Sequence, residues 1–195
     1  MAENFRTKDR EDRLRSVLDN RYADLQLILE EIHNTHNISA ILRTADGLGV
    51  QNINLIYTAE ESFRINPLIT KGVHKWMNIN QFETVKQAVL PLKEAGYKIY
   101  STGFSKDSVP FLEVDFTLPC AIILGNEHEG VSDFAKSISD KTIYLPMFGF
   151  SQSFNVSVAN AIILSEARRQ RIIKGNSGNI PEEMKEEIFQ KWIKL

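Results

Sequence analysis

Cys120-Ala121-Ile122-Ile123-Leu124-Gly125-Asn126-Glu127-His128-Glu129-Gly130-Val131-Ser132 is the stretch on which the fold turns. Five consecutive apolar residues, cut off by glycine, read as a strand buried on both faces. The polar loop that follows is bounded by Gly130, and a helix is predicted over residues 132–138. Working outward, the same short apolar runs recur at residues 25–29, 53–57, 98–102 and 142–145, and helical patterns lie between them at 38–48 and 84–95. Strand and helix alternating in this way predict an α/β fold, a mostly parallel sheet flanked by helices and joined by right-handed crossovers. Ligand sites in such sheets lie beyond the carboxyl ends of the strands, where Gly125 to Gly130 falls.

The ends of the chain differ. Residues 4–22 read as a surface helix ahead of the core. A loop after Pro146 leads into a helix from about Asn155 to Lys174 whose first half is apolar on nearly every side, and such a helix needs cover from the core and from a second surface. Pro181 starts a last amphipathic helix whose Ile188, Trp192 and Ile193 require something to pack on. The division expected is a helical extension over 1–22, one domain over 23–174 and a second extension over 175–195.

At 195 residues and 43% hydrophobic content, the chain can bury one core. One cysteine, Cys120, leaves no disulfide framework, and the four histidines have no metal-ligand spacing, so no metal is expected. No apolar run reaches membrane length and the N-terminus is charged, which predicts a cytoplasmic protein without a membrane anchor. The net charge of −2 argues weakly against a nucleic-acid partner, yet the cations are clustered. Arg6, Lys8, Arg10, Arg13 and Arg15 crowd the N-terminus, and Arg168, Arg169, Arg171 and Lys174 form a run without an acid. Taken alone, the second run reads first as cations complementing a helix C-terminus.

Three segments could carry chemistry. In Asn37-Ile38-Ser39-Ala40-Ile41-Leu42-Arg43-Thr44-Ala45-Asp46, Asn37 could be a helix N-cap and Arg43 could pair with Asp46 at i,i+3. In the loop Gly125 to Gly130 the spacing G-x-x-x-x-G is present, but Val131 stands where a phosphate-binding lysine is needed and Glu127 and Glu129 would repel an anion. The same acids suit a ligand carrying a sulfonium or ammonium charge. The third segment runs from Leu145-Pro146-Met147 to Ser153-Phe154-Asn155, where Ser153 or Asn155 could cap the next helix and its free N–H groups could hold a polar ligand edge.

Together, in this order and separation, the three segments resemble the three motifs of the SpoU-type RNA 2′-O-methyltransferases of the SPOUT superfamily. The likeness is greatest to the tRNA (guanosine-2′-O-)-methyltransferase branch commonly called TrmH. Gly72-Val73-His74-Lys75-Trp76, Glu166-Ala167-Arg168-Arg169-Gln170-Arg171 and Phe189-Gln190-Lys191-Trp192 extend the likeness over nearly the whole chain. Phe154 departs from a usual leucine, and Phe148 and Phe150 make the third segment unusually aromatic.

The resemblance implies a deep C-terminal trefoil knot, a homodimer, S-adenosyl-L-methionine as cofactor and tRNA as substrate, with a D-loop guanosine as target. It places Thr102, Gly125, Asn126, Leu145, Met147, Ser153 and Phe154 around the cofactor, and Asn37, Arg43, Glu127 and Asn155 in the catalytic group. Arg13, Arg15, His36, Arg168, Arg169 and Arg171 then become candidate RNA contacts. The family proposal of arginine as general base meets an energetic objection. Free arginine has a pKa of at least ~12.5, and bringing it to ~7 costs about 7 kcal/mol. Unless a bound phosphate takes its proton, Arg43 is better suited to stabilise an alkoxide, from its own subunit or from the partner. The same fold would also serve a ribosomal RNA 2′-O-methyltransferase or a catalytically silent RNA-binding module.

Overall fold

A computed structural model describes residues 2–57 and 72–195, with side chains from residue 8 onward, so the Arg6 side chain lies outside the described residues. Its elements are α1 (Ala2–Asp19), β1 (Tyr22–Glu30), α2 (Thr35–Gly47), β2 (Val50–Ile56), β3 (Asn78–Phe82), α3 (Val85–Glu94), β4 (Lys98–Thr102), β5 (Val109–Pro110), β6 (Cys120–Leu124), α4 (Asp133–Ile138), β7 (Lys141–Tyr144), α5 (Val156–Ile173) and α6 (Glu182–Trp192). Short 3-10 turns occupy Val73–Trp76 and Phe111–Glu113.

All seven strands pair in parallel, in the order β3-β2-β1-β6-β4-β7-β5. The central strands β1 and β6 have the continuous apolar sequence that burial on both faces demands. Leu25, Leu27 and Leu29 of β1 join Ile41 and Leu42 of α2 and Ile163, Leu164 and Ala167 of α5 in one core. Ile28 of β1 and Ala121 and Ile123 of β6 point the other way, against Val85, Ala88 and Val89 of α3 and Ala135 of α4. Each fully buried Leu or Ile contributes roughly 1.5–3 kcal/mol to that two-layer cover.

Two strands escape the sequence pattern. β3, Asn78-Ile79-Asn80-Gln81-Phe82, is an edge strand that takes its order from amide pairing. Asn78 Nδ2 donates to Asn52 Oδ1 at 3.0 Å, Asn80 Nδ2 to Asn54 Oδ1 at 3.1 Å, and Asn54 Nδ2 to Gln26 Oε1 at 3.0 Å. Such a ladder satisfies side-chain amides that the hydrophobic pattern counts as loop. β5 is two residues long, too short for any periodicity.

α1 stops at Asp19, three residues short of the sequence expectation, because Tyr22 is a buried strand residue of β1. α6 finds its surface on α1. Leu14 and Leu18 pack with Ile188, Phe189 and Trp192, Arg15 pairs with Glu186 at 3.2 Å, and Lys185 pairs with Asp19 at 2.8 Å. Trp76 meets Trp192 edge-on at 5.4 Å and fastens this layer to the 3-10 turn that leads into β3. Among the described residues, no helix is long and apolar enough to cross a membrane.

Candidate active site

The carboxyl ends of β1, β4, β6 and β7 gather the loops where the sheet rule places a ligand. β6 delivers Gly125, whose added Cβ would lie 2.1 Å from the Gly130 backbone, so the loop can fold back on itself only with glycine there. Within it Asn126 Oδ1 accepts from the backbone N–H of His128 at 2.9 Å and of Glu129 at 2.7 Å, a closed turn that Asn side chains favour. Gly130 supplies the left-handed residue, at φ 71°. Glu30, buried at the end of β1, accepts from the N–H of Ser132 at 3.0 Å and ties that loop to the sheet.

A cavity of about 960 Å³ opens between this loop, the end of β4 and the 144–156 segment. Thr102, Gly125, Asn126, Leu145, Met147, Ser153 and Phe154 all line it, as do Glu127 and Asn155. Thr102 is held by its hydroxyl, which donates to the Ile123 carbonyl at 3.0 Å. The pattern of the chain did not single out Phe104, Lys136, Tyr144, Gln152 or Ala159, which also line the wall. A rule that scans the first residues after every strand would have found Phe104, whereas Tyr144 is the last residue of β7 itself.

A second cavity of about 920 Å³ lies next to the first, lined by Glu31, His33, Asn34, Asn37, Asn126, Glu127, His128, Glu129 and Asn155. Asn126, Glu127, His128, Glu129 and Asn155 border both spaces. The partition is a hydrogen-bonded chain. Asn155 Nδ2 donates to Asn37 Oδ1 at 3.1 Å, and Asn37 Nδ2 donates in turn to the Glu127 carboxylate. Asn155 Oδ1 caps α5, accepting from the Ser157 N–H at 2.9 Å and from the Ser157 hydroxyl at 2.6 Å. Three residues from distant segments are thereby fixed against one another, with every amide committed in one direction.

Two structural explanations that the sequence offers for the first segment do not hold. Asn34, not Asn37, caps α2, its Oδ1 accepting from the N–H groups of His36 at 2.9 Å and Asn37 at 3.3 Å. The helix starts one turn earlier than the apolar pattern suggests, and Asn37 is left buried and turned to the partition. Asp46 pairs with the buried Arg21 rather than with Arg43. Arg43 is exposed, lines neither cavity, and has no hydrogen-bond or ion-pair partner among the described residues. Six residues of helix carry it ~9 Å along and ~240° around from Asn37. Within a single chain, Asn37, Glu127 and Asn155 come together and Arg43 does not.

The basic residues separate into distinct environments. Arg171 is a correction: it is wholly buried, its Nε donating to the Phe116 carbonyl at 2.8 Å, one Nη to the Leu118 carbonyl at 2.9 Å, and the other pairing with Asp24. A guanidinium so enclosed holds the fold and cannot reach RNA. Arg168 donates to the carbonyls of Leu48 at 3.1 Å and Asn20 at 3.3 Å. Arg169 is exposed but bidentate to Glu166, at 2.7 and 2.8 Å, which holds its pKa above the ordinary value. Arg15 pairs with Glu186 and lies 3.9 Å over the Phe189 ring. Arg13 and His36 are exposed.

Residues 24–165 match the SpoU rRNA Methylase family, and the chain belongs to that family. A tRNA (guanosine(18)-2′-O)-methyltransferase of Aquifex aeolicus (strain VF5) is 43% identical over 182 residues, 92% of this chain and 86% of that protein. The crystal structure of an A. aeolicus TrmH/SpoU tRNA modifying enzyme superposes with a TM-score of 0.90 at 42% identity, covering 96% of each chain. The SpoU methyltransferase AviRb from Streptomyces viridochromogenes, solved in complex with the cofactor AdoMet, matches with a TM-score of 0.66 at 26% identity, over 76% of this chain and 60% of that one.

Proposed function

We propose that this chain transfers a methyl group from S-adenosyl-L-methionine to the ribose 2′-hydroxyl of a guanosine in tRNA, in the cytoplasm. The observation that carries the reading is the Asn155–Asn37–Glu127 partition with a cavity on either side. Group transfer between two large molecules needs two adjoining spaces and a fixed set of polar groups where they meet.

The first cavity fits the methyl donor. It is large enough for a nucleoside-sized ligand, it carries Glu127 and Glu129 at its rim, and its Gly125–Gly130 closure offers no lysine to a phosphate. Lys136 on the same wall is paired with Asp133 at 3.4 Å, so the two carboxylates set a charge that suits a cationic ligand. When bound, S-adenosyl-L-methionine supplies an electrophilic methyl on a positively charged sulfur. Thr102, Gly125, Asn126, Leu145, Met147, Ser153 and Phe154 would hold it. Asn37, Glu127 and Asn155 orient the ribose hydroxyl from the other side, with Glu127 placed to accept its hydrogen bond. Their geometry is preorganised by the hydrogen bonds they already make, so little reorganisation is needed as the alkoxide develops.

Arg43 completes the group only from a second subunit, which is why we propose a homodimer. The exposed side of α5 supports this pairing: Val158 is 45% exposed on a helix whose other side is core. We also propose the C-terminal trefoil knot. The last turns of α5 are gripped by the segment between β5 and β6, with Gln170 bonded to Phe116 N–H at 2.9 Å and to the Val114 carbonyl at 3.2 Å. The division into extensions over 1–22 and 175–195 beside a 23–174 domain is supported by the packing of Leu14 and Leu18 on α6, with Tyr22 already part of β1, and Arg13, Arg15, His36, Arg168 and Arg169 would meet tRNA backbone.

The test is direct. Unmodified tRNA incubated with the purified protein and methyl-labelled cofactor should acquire one ribose 2′-O-methyl group, mapped by resistance to alkaline cleavage. A methyl group on a base, or transfer to ribosomal RNA alone, would overturn the reading.

A further inference from the structure

We propose that Phe104 is the aromatic face on which the adenine ring of the methyl donor stacks, at the end of the first cavity away from the partition. The inference rests on the methyltransferase reading above and says which way round the donor lies. The two ends of that cavity differ in chemistry. Glu127 and Glu129 border both cavities and so stand at the transfer point, whereas Phe104 and Tyr144 border the first alone. The methyl to be transferred must reach the partition, and the ammonium of the donor's amino-acid tail is drawn to the two carboxylates there. The purine is left for the far end, where Phe104, Ile143, Tyr144 and Leu145 make an apolar wall. Lys136 reaches the same end, its Cε 3.5 Å from where a Gly103 Cβ would lie, with its ammonium paired to Asp133 at 3.4 Å. A donor lying the other way round would set its carboxylate against Lys136, and the experiment below separates the two orientations.

Of the Phe and Tyr rings on this wall, Phe104 is the least covered. It is 84% exposed against 40% for Phe154, and Tyr144 is half-buried. Phe154 also adjoins Asn155, at the partition end. Although exposed, Phe104 is set in place. On one side the Gly103 N–H donates to the Ile143 carbonyl at 3.0 Å and fixes the chain to β7. On the other, Ser105 and Ser108 close a turn, the Ser105 N–H donating to the Ser108 hydroxyl at 3.1 Å and that hydroxyl to the Ser105 carbonyl at 2.8 Å. The Phe104 ring meets Tyr144 edge-on at 5.1 Å, which props it while leaving most of its surface to a further aromatic partner. A flat purine laid on that surface removes apolar area from water and gains the stacking contact.

The experiment measures binding by calorimetry for two compounds, S-adenosylhomocysteine and methylthioadenosine, the second of which keeps the adenine and lacks the amino-acid tail. Phe104→Ala should weaken both by the same factor, at least about fivefold, as loss of one base–aromatic stack requires. The ligand-free variant should keep the wild-type melting temperature and, without donor, the wild-type affinity for tRNA. Indole emission of Phe104→Trp, less that of the wild type with its Trp76 and Trp192, should change when methylthioadenosine is added. A loss seen with S-adenosylhomocysteine alone would put the tail at Phe104 and overturn the assignment. Unaltered affinity for both compounds, or a loss confined to tRNA binding or to self-association, overturns it as well, as does a wild type that binds S-adenosylhomocysteine but not methylthioadenosine. If Phe104→Ala fails to fold, the emission of Phe104→Trp decides: a change with methylthioadenosine supports the stack and none overturns it. A wild type that binds neither compound would instead sink the functional reading, and this assignment with it.

Discussion

Replacing Arg171 with methionine separates a structural arginine from an RNA-binding one. Methionine keeps most of the aliphatic length but removes every donor, leaving the Phe116 and Leu118 carbonyls and the Asp24 carboxylate without their shared partner. Each buried carbonyl so orphaned costs about 1–2 kcal/mol. Breaking a buried ion pair from one side costs about 3–5 kcal/mol in total. Asp24 remains 22% exposed and regains some water, which places the sum near the lower bound, about 3 kcal/mol. At roughly 2–4 °C per kcal/mol for a chain of this size, the melting temperature should drop by about 6–12 °C. In urea the midpoint should fall with the slope unchanged, because the folded and unfolded surfaces stay the same. Adding Asp24→Asn should recover part of the loss, since no buried charge is then left unpaired. Binding of tRNA, measured below both melting temperatures, should retain its salt dependence. An Arg171→Met variant that melts within about 2 °C of wild type but loses tRNA affinity would refute the burial argument.

Other consequences follow from the same geometry. Arg13→Ala should flatten the dependence of log K on log salt by about one, and Arg169→Ala by less, because Glu166 already neutralises that guanidinium. Burial pushes the Cys120 thiol up to about 12, so a disulfide reagent at pH 8 should label it only at the rate of unfolding. The unfolded thiol titrates near ~8.5 and the folded one higher, so its contribution to stability is complete below that pH and is lost as pH rises toward the folded value. Mixing Arg43→Ala with Asn155→Ala subunits should restore about a quarter of wild-type activity if subunits exchange at random and each site takes Arg43 from the partner; restoration absent from verified heterodimers counts against the shared site. Pulling the folded chain from its two ends should leave the unfolded polypeptide shorter than its ~3.4 Å per residue allows, by the length held in a tightened knot.

The central sheet was legible because burial on both faces writes itself as uninterrupted apolar sequence, as in Cys120–Leu124 and the middle of Tyr22–Glu30. β3 was not, since its order comes from asparagines bonded across strands, a relation between positions 26 residues apart. The residues that the resemblance assigns to the cofactor all line the first cavity, while spacing alone left the Gly125–Gly130 loop as an ordinary turn. Asn37 shows why: an asparagine at the mouth of a helix has the same appearance whether it caps the backbone or, with Asn34 capping instead, reaches Glu127. Arg171 shows the converse. A run of cations read along the sequence as one patch, yet helical rotation sent Arg169 to solvent and Arg171 into the core.

The account depends most on methyl transfer taking place at the Asn155–Asn37–Glu127 partition. Single-turnover transfer to tRNA by Asn37→Ala, beside a cofactor titration of the same variant, examines that directly. Loss of one preorganised contact should slow transfer by about 10²–10³ while cofactor affinity changes by less than about threefold. Transfer at the wild-type rate with a folded, cofactor-binding variant would show that the reaction happens elsewhere.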